Sequence, residues 1–201
     1  MIRRMELDDI DQVVGVHLES FPGFFLSFLG PDFLKVYYRA ACLDREGICL
    51  VSSNGERDIR GFVVGSSNPG GFYRRIFMRR FLGFLLSVFW AVANRPSIVG
   101  RLIRTAARAA GKQPQGCAGL FSIAVSPAVQ GQGVGRDLVG GFIQNAYERG
   151  CRWVSLTTDS QGNDRVNDFY RSLGFAATGE LITPEGRRMF QYTLEISHVA
   201  E

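Results

Sequence analysis

Apolar residues recur at two spacings along this chain, and the switches between them divide it into elements. Residues 2–5 read as a short opening strand. Asp8 and Asp9 can cap a helix that carries Ile10, Val13, Val14, Leu18 and Phe21 on one face, and Pro22-Gly23 ends it. Gly30-Pro31-Asp32 opens a second helix, with Phe33, Val36, Tyr37, Ala40 and Ala41 at helical spacing. The runs Ile48–Val51 and Ile59–Gly65 are β-rich and are joined by the polar turn Ser52-Ser53-Asn54-Gly55. Leu120–Val125 is another strand, and a glycine-rich stretch after it runs into a helix. Leu138, Val139, Phe142, Ile143, Ala146 and Tyr147 form the buried face of that helix, and Gly150 closes it. Trp153–Thr157 is a strand. Asn163–Leu173 is a short helix with Val166, Phe169, Tyr170 and Leu173 on one side. Phe175–Ile182 and Met189–Ile196 make a closing hairpin around Pro184-Glu185-Gly186.

One stretch stands apart. Residues 70–115 carry Arg74, Arg75, Arg79, Arg80, Arg95, Arg101, Arg104, Arg108 and Lys112, and no Asp or Glu. The remainder holds fourteen basic and nineteen acidic residues, so the net charge of +4 belongs to this segment alone. Ile76, Phe77, Phe81, Phe84, Leu85, Val88 and Phe89 share one helical face, with Arg75 and Arg79 elsewhere. After Asn94-Arg95-Pro96, Ile98, Leu102, Ala106 and Ala109 continue at the same spacing, opposite Arg101, Arg104 and Arg108. The pattern predicts two basic amphipathic helices inserted between strands, inside one domain spanning 1–201. The longest run there without an ionisable residue, Phe81 to Asn94, is fourteen residues, short of the ~20 that span a bilayer. With no signal-peptide pattern at its start, the chain is expected to be cytoplasmic, or peripheral to a membrane through the insert.

The cysteines Cys42, Cys49, Cys117 and Cys151 form no CxxC, and the histidines are His17 and His198. Metal chemistry finds no ligand cluster in that set, so reduced, mostly buried thiols are expected.

The chemistry-bearing feature is Gln130-Gly131-Gln132-Gly133-Val134-Gly135, placed between a strand and a helix. Backbone N–H groups at a helix N-terminus attract anions, and glycines let a phosphate approach. Arg136 stands where a dinucleotide fingerprint needs its third glycine. Gly135-Arg136-Asp137 does not supply a Walker ending either. A phosphate site and a plain glycine-rich turn both remain open on the loop alone.

The chain resembles the GNAT acyltransferases, which move an acyl group from coenzyme A to an amine. Their [RQ]-x-x-G-x-[GA] signature is matched by Gln130 to Gly135. A second pattern is matched by Asn163-Asp164-Arg165-Val166-Asn167-Asp168-Phe169-Tyr170, followed by Leu173-Gly174-Phe175. The resemblance is loose over 2–69 and good over 117–196. It implies an α/β (α+β) fold with a mixed central sheet of about six to seven strands and flanking helices. Residues 70–115 then form a helical insert between the third and fourth strands.

The resemblance also implies roles. Loop amides from Gln130, Gly131, Gln132, Gly133, Val134, Gly135 and Arg136 would hold the pyrophosphate of coenzyme A. Ile123, Ala124 and Val125 would meet the pantetheine arm in a splayed gap beside the next strand, and the Val125 amide would polarise the thioester. Asn163 would contact the cofactor. Tyr170 would be the general acid, with core packing as its rival role. The fifth strand lacks the glutamate many members use as base. Asp159 just beyond it and Glu19 are substitutes that read equally well as solvated carboxylates, and His17 reads as a half-buried helix residue. The expected activity is acetyl transfer from acetyl-CoA to a primary amine by direct attack, without metal, in a monomer or homodimer. Rival readings are a longer acyl chain from coenzyme A or an acyl carrier protein, and a non-catalytic coenzyme A-binding module. The insert is expected on the acceptor side, meeting an acidic or lipid-linked acceptor or a membrane surface; nucleic acid is not an expected partner.

Overall fold

A computed structural model describes residues 1–23, 25–55, 58–79, 116–183 and 186–196. Seven strands form one mixed sheet: β1 (Ile2–Arg4), β2 (Gly47–Ser53), β3 (Ile59–Ser66), β4 (Cys117–Val125), β5 (Trp153–Asp159), β6 (Ala176–Ile182) and β7 (Arg188–Glu195). Their spatial order is β1-β2-β3-β4-β5-β7-β6. β1 to β4 are successively antiparallel, β4 and β5 are parallel, and the β6–β7 hairpin completes the edge with β7 antiparallel to β5. The helices are α1 (Ile10–Ser20), α2 (Phe25–Phe28), α3 (Pro31–Leu43), α4 (Phe72–Arg79), α5 (Val134–Glu148) and α6 (Asp164–Ser172).

Side chains alternate across a strand, so the central strands feed two cores. Cys49, Val51, Phe62 and Val64 pack with the apolar faces of α1, α3 and α4. Ile48, Leu50 and Val63, one residue out of step, pack with Leu138, Val139, Phe142 and Ile143 of α5. Every residue of β2 is buried, as a strand covered on both faces must be. Glycine permits a close contact in this sandwich. A Cβ on Gly65 would lie 2.2 Å from the Gly119 carbonyl and 2.6 Å from the Phe142 ring.

The elements follow the periodicity, with five differences, the first being that Ser52 and Ser53, expected in the turn, extend β2 and are buried. β4 starts at Cys117, three residues early, because the small residues Ala118 and Gly119 hide strand character. β5 reaches Asp159, so that carboxylate is on the strand rather than beyond it. The four-residue α2 has too few turns to show a period. On α6, Val166 is 37% exposed while Asn167 is buried, so the inward face is rotated one residue from the apolar count.

Of the expected insert, α4 is described. Phe72 and Ile76 are fully buried against the α1/α3 layer. Arg75, instead of facing solvent, turns inward and donates to both oxygens of Asp44 at 3.0–3.2 Å, to the Asn68 carbonyl at 2.9 Å and to Ser66 Oγ at 3.3 Å. The second predicted helix and Arg80, Arg95, Arg101, Arg104, Arg108 and Lys112 lie outside the described residues. No described helix is long and apolar enough to cross a membrane.

Candidate active site

β4 and β5 pair only at their first residues: Cys117 with Trp153, Ala118 with Val154 and Gly119 with Ser155. Beyond Gly119 and Ser155 the two strands share no further pairs. β5 stays paired to β7 as far as Asp159, and β4 to β3 as far as Val125. The sheet therefore opens into a wedge between Leu120–Val125 and Leu156–Asp159. This is the splayed gap expected from the sequence.

The wedge exposes specific backbone groups. Ser126 N–H donates to the Arg60 carbonyl at 2.8 Å, which marks residues 60 and 126 as a hydrogen-bonded pair of the antiparallel ladder. Alternation from that pair turns the N–H and C=O of Val125 and Ile123 away from β3, toward the wedge. Ala124 differs. Its backbone is paired with Phe62 and its side chain is buried in the α1/α3 core, so it presents nothing to the wedge. The Val125 carbonyl accepts from Ser20 Oγ and Gln130 Nε2, both at 3.3 Å, which leaves its N–H as the available group. An extra residue in β4, Phe121, marks a bulge against β3 two residues before Ile123.

The wedge opens beside the glycine loop. Gly131 and Gly133 have φ of +81° and +83°, a region where a Cβ is strained, and Gly133 is the N-cap of α5. A Cβ at either would meet nothing within 4 Å, so the loop presents open space. The N-terminal amides of α5 at Val134, Gly135 and Arg136 have no carbonyl one turn earlier in the helix to accept them. The unpaired arm of β4 thus leads into a loop whose free amides suit an anionic group. Arg136 is exposed and touches α6 through Ser172 Oγ at 3.4 Å.

α6 closes the other side. Asn163 spends its side-chain amide on Thr158 Oγ1 at 2.8 Å and the Asp159 carbonyl at 3.3 Å, which ties the start of α6 to the end of β5. Asn167, a residue the apolar pattern passed over, does likewise. It donates to the Asp159 carbonyl at 3.1 Å and accepts from Tyr192 Oη at 3.2 Å. Tyr170 is 4% exposed and shares a buried cluster with Leu120 and Leu156 from the two arms of the wedge. Its ring packs against Phe169, Phe175 and Tyr192. Burial raises its pKa well above the ordinary phenol value, so it stays a proton donor throughout the physiological range.

The candidate bases are placed unequally. Asp159 is paired to Arg187, with Nη2 at 2.5 Å and Nε at 3.1 Å. Glu19 is exposed. His17 is 2% exposed, more deeply buried than its helix position suggests. It bonds Tyr38 Oη through Nδ1 at 2.6 Å and lies over Phe62. Burial lowers its pKa to about 4. Cys117 and Cys151 are buried thiols bonded to backbone carbonyls at 3.6 Å. Burial pushes the Cys151 thiol up, which makes it a weaker nucleophile. Among the described residues no group of three His, Cys, Asp or Glu could hold a metal.

The family model described as Acetyltransferase (GNAT) family matches residues 13–175, which include the wedge, the loop and α6. The chain belongs to the GNAT acetyltransferase family. The family uses acetyl-CoA. Among curated proteins it is 38% identical over 74 residues to a histone acetyltransferase of Glycine max, over 36% of this chain and 28% of the relative. To a chloroplastic GCN5-related N-acetyltransferase of Arabidopsis thaliana it is 40% identical over 74 residues, covering 36% of this chain and 25% of that one. The matched stretch thus spans about a quarter of these relatives' length. Solved GNAT structures share the fold at low identity. The crystal structure titled SsHAT has a TM-score of 0.67 at 20% identity, covering 98% of both chains. An aminoglycoside 6'-N-acetyltransferase complexed with coenzyme A has a TM-score of 0.63 at 13% identity, covering 98% of this chain and 97% of its own. The Escherichia coli ribosomal-protein-S18-alanine N-acetyltransferase has one of 0.59 at 18% identity, covering 100% and 96%.

Proposed function

We propose that this GNAT member transfers an acetyl group from acetyl-CoA to a primary amine by direct attack. The observation that carries the reading is the parting of β4 from β5, with the N–H groups of Ile123 and Val125 turned into the gap and the Gly131–Gly133 loop at its end. In this reading the pantetheine arm adds to β4 as an extra strand, hydrogen-bonded at Ile123 and Val125. The amides of Gln130 to Arg136 receive the pyrophosphate. Asn163 holds the wedge open by fixing α6 to β5. The Val125 N–H, its carbonyl already occupied, is the group that β4 offers to the arm nearest the loop.

The neutral amine attacks the thioester carbon, forming C–N as C–S breaks. The departing sulfur takes the proton of Tyr170, which burial keeps in its protonated form until the thiolate develops. The amine's surplus proton leaves to solvent, and solvent returns a proton to the Tyr170 oxygen, which restores the acid. Residues 70–115 are taken as part of the same domain; they join the end of β3 to the start of β4, at the end of the sheet opposite the glycine loop. That is the acceptor side. With Arg75 committed to Asp44, this reading assigns the other basic residues of the segment to an acidic or lipid-linked acceptor.

An amine panel of amino sugars, peptide N-termini, polyamines and amino acids, read by free-thiol release from acetyl-CoA, tests the reading. One amine should release thiol well above hydrolysis. Tyr170→Phe should then lower turnover by about 10²-fold with little change in donor binding. A fully active phenylalanine variant, with chemistry limiting the rate, would make Tyr170 a packing residue.

A further inference from the structure

The donor reading leaves one charged group on the rim of the loop without a role. Arg60 lies at the start of β3, level with the end of β4. The pairing of β2 with β3 shifts there. Ser52 faces Gly61 and Ser53 faces Ile59, so Arg60 is an extra residue on β3. A bulge re-aims the side chain it carries. In a regular alternation Arg60 would share the face of Phe62 and Val64, which is the α1/α3 core. Instead its guanidinium reaches the glycine loop and donates through Nη2 to Gln132 Oε1 at 2.5 Å. Its backbone is fixed as well, through the carbonyl that accepts from Ser126 N–H.

Five of the described arginines are committed to carboxylates, and others at the surface are not. Arg3, Arg75, Arg171, Arg187 and Arg188 each pair with a carboxylate. Arg60 pairs with none among the described residues, and its single side-chain bond is to a neutral amide of the loop. Four of its five N–H donors remain for another acceptor. Guanidinium binds phosphate oxygens with matching geometry and a full charge, which the loop amides lack. Arg136, across the loop and also without a carboxylate partner among the described residues, gives the rim a second positive charge.

We infer that Arg60 is a phosphate ligand of the acyl donor, aimed at the loop by the β3 bulge and held there by Gln132. The proposal rests on the donor reading above and adds to it a residue outside the glycine signature. Calorimetry with coenzyme A tests it directly. Arg60→Gln should raise Kd about tenfold, the loss typical of one half-exposed charge-assisted hydrogen bond. A kinetic comparison supplies the control. The variant should lose kcat/KM with acetyl-CoA but keep wild-type kcat/KM with acetylpantetheine, a donor without phosphates, which also shows that the protein is folded. Unchanged coenzyme A affinity would reduce Arg60 to a structural tie on Gln132, and equal losses with both donors would exclude a phosphate role. A wild-type chain that binds no coenzyme A would instead overturn the donor reading, and this proposal with it.

Discussion

The two ends of β4 use the same residue type in opposite ways. At its start, beside the Ser66 end of β3, Arg75 is enclosed. Its partners are Asp44, whose side chain is 1% exposed, together with Ser66 and two loop carbonyls. At its finish, Arg60 and Arg136 stand beside a loop of open backbone with no carboxylate in reach among the described residues. At the first end all three guanidinium nitrogens of Arg75 are engaged, and at the second most donors are not. A group whose donors are all engaged contributes to stability, and a group with donors to spare is available to a ligand. The difference predicts that lesions at the start of β4 affect folding, whereas lesions at its finish affect donor binding.

The largest effect should follow from Asp44→Ala. It leaves a guanidinium that is only 27% exposed without its counter-charge. Losing one partner of a buried pair typically costs about 3 kcal/mol or more, with the lower figure apt here because Arg75 partly reaches water. Urea unfolding should show that loss, while coenzyme A affinity of the folded fraction stays within twofold of wild type. A tenfold loss of affinity would mean that the two ends of β4 are coupled and the contrast fails.

A smaller effect belongs to the layer behind the wedge. His17 has a folded pKa near 4 because burial disfavours its charged form, against 6.5 in the unfolded chain. Above pH 6.5 both states are neutral and His17 adds no pH dependence. As pH falls from 6.5 toward 4 the unfolded chain takes up a proton that the folded one refuses, so stability drops. Between pH 7 and pH 5 the loss should be about 2 kcal/mol. His17→Gln, which can still bond Tyr38, should flatten that part of the profile. If both proteins lose the same amount, His17 is not the group responsible.

The same contrast explains what could be read from the sequence. Elements that bury an apolar face were legible: α1, α3 and α5 and the central strands follow apolar spacing closely, whereas β6 of the closing hairpin is exposed along its whole length and was legible from the turn beside it. The glycine loop was legible because positive φ at Gly131 and Gly133 requires that residue. Features that arise from strand register were not. The bulge at Arg60 looks like ordinary alternation in Ile59-Arg60-Gly61-Phe62, and its consequence depends on a pairing shift with Ser52 and Ser53. Ser20 gave no signal either, since its bond to the Val125 carbonyl spans 105 residues. Asn167 could have been suspected as a polar residue between Val166 and Tyr170. Its burial needed the rotation of α6 and a partner on β7. Arg75 was counted among free charges because Asp44 lies far from it in sequence and belongs to another element.

Arg136 provides the finest test of the contrast. It is exposed, stands in the first turn of α5, and makes one long bond at 3.4 Å to Ser172 Oγ. A cation there opposes the helix dipole, so its removal should not destabilise the fold. Arg136→Gln is therefore expected to leave unfolding free energy within about 0.5 kcal/mol of wild type. If the open end of β4 serves a phosphate, the same change removes positive charge from the rim and should raise the Kd for coenzyme A by about threefold, less than at Arg60 because screening by water is greater. The effect should shrink at high salt, which separates charge from shape. A stability loss comparable to that of Asp44→Ala, with coenzyme A binding untouched, would place Arg136 with Arg75 as a structural arginine and erase the distinction between the two ends of the strand.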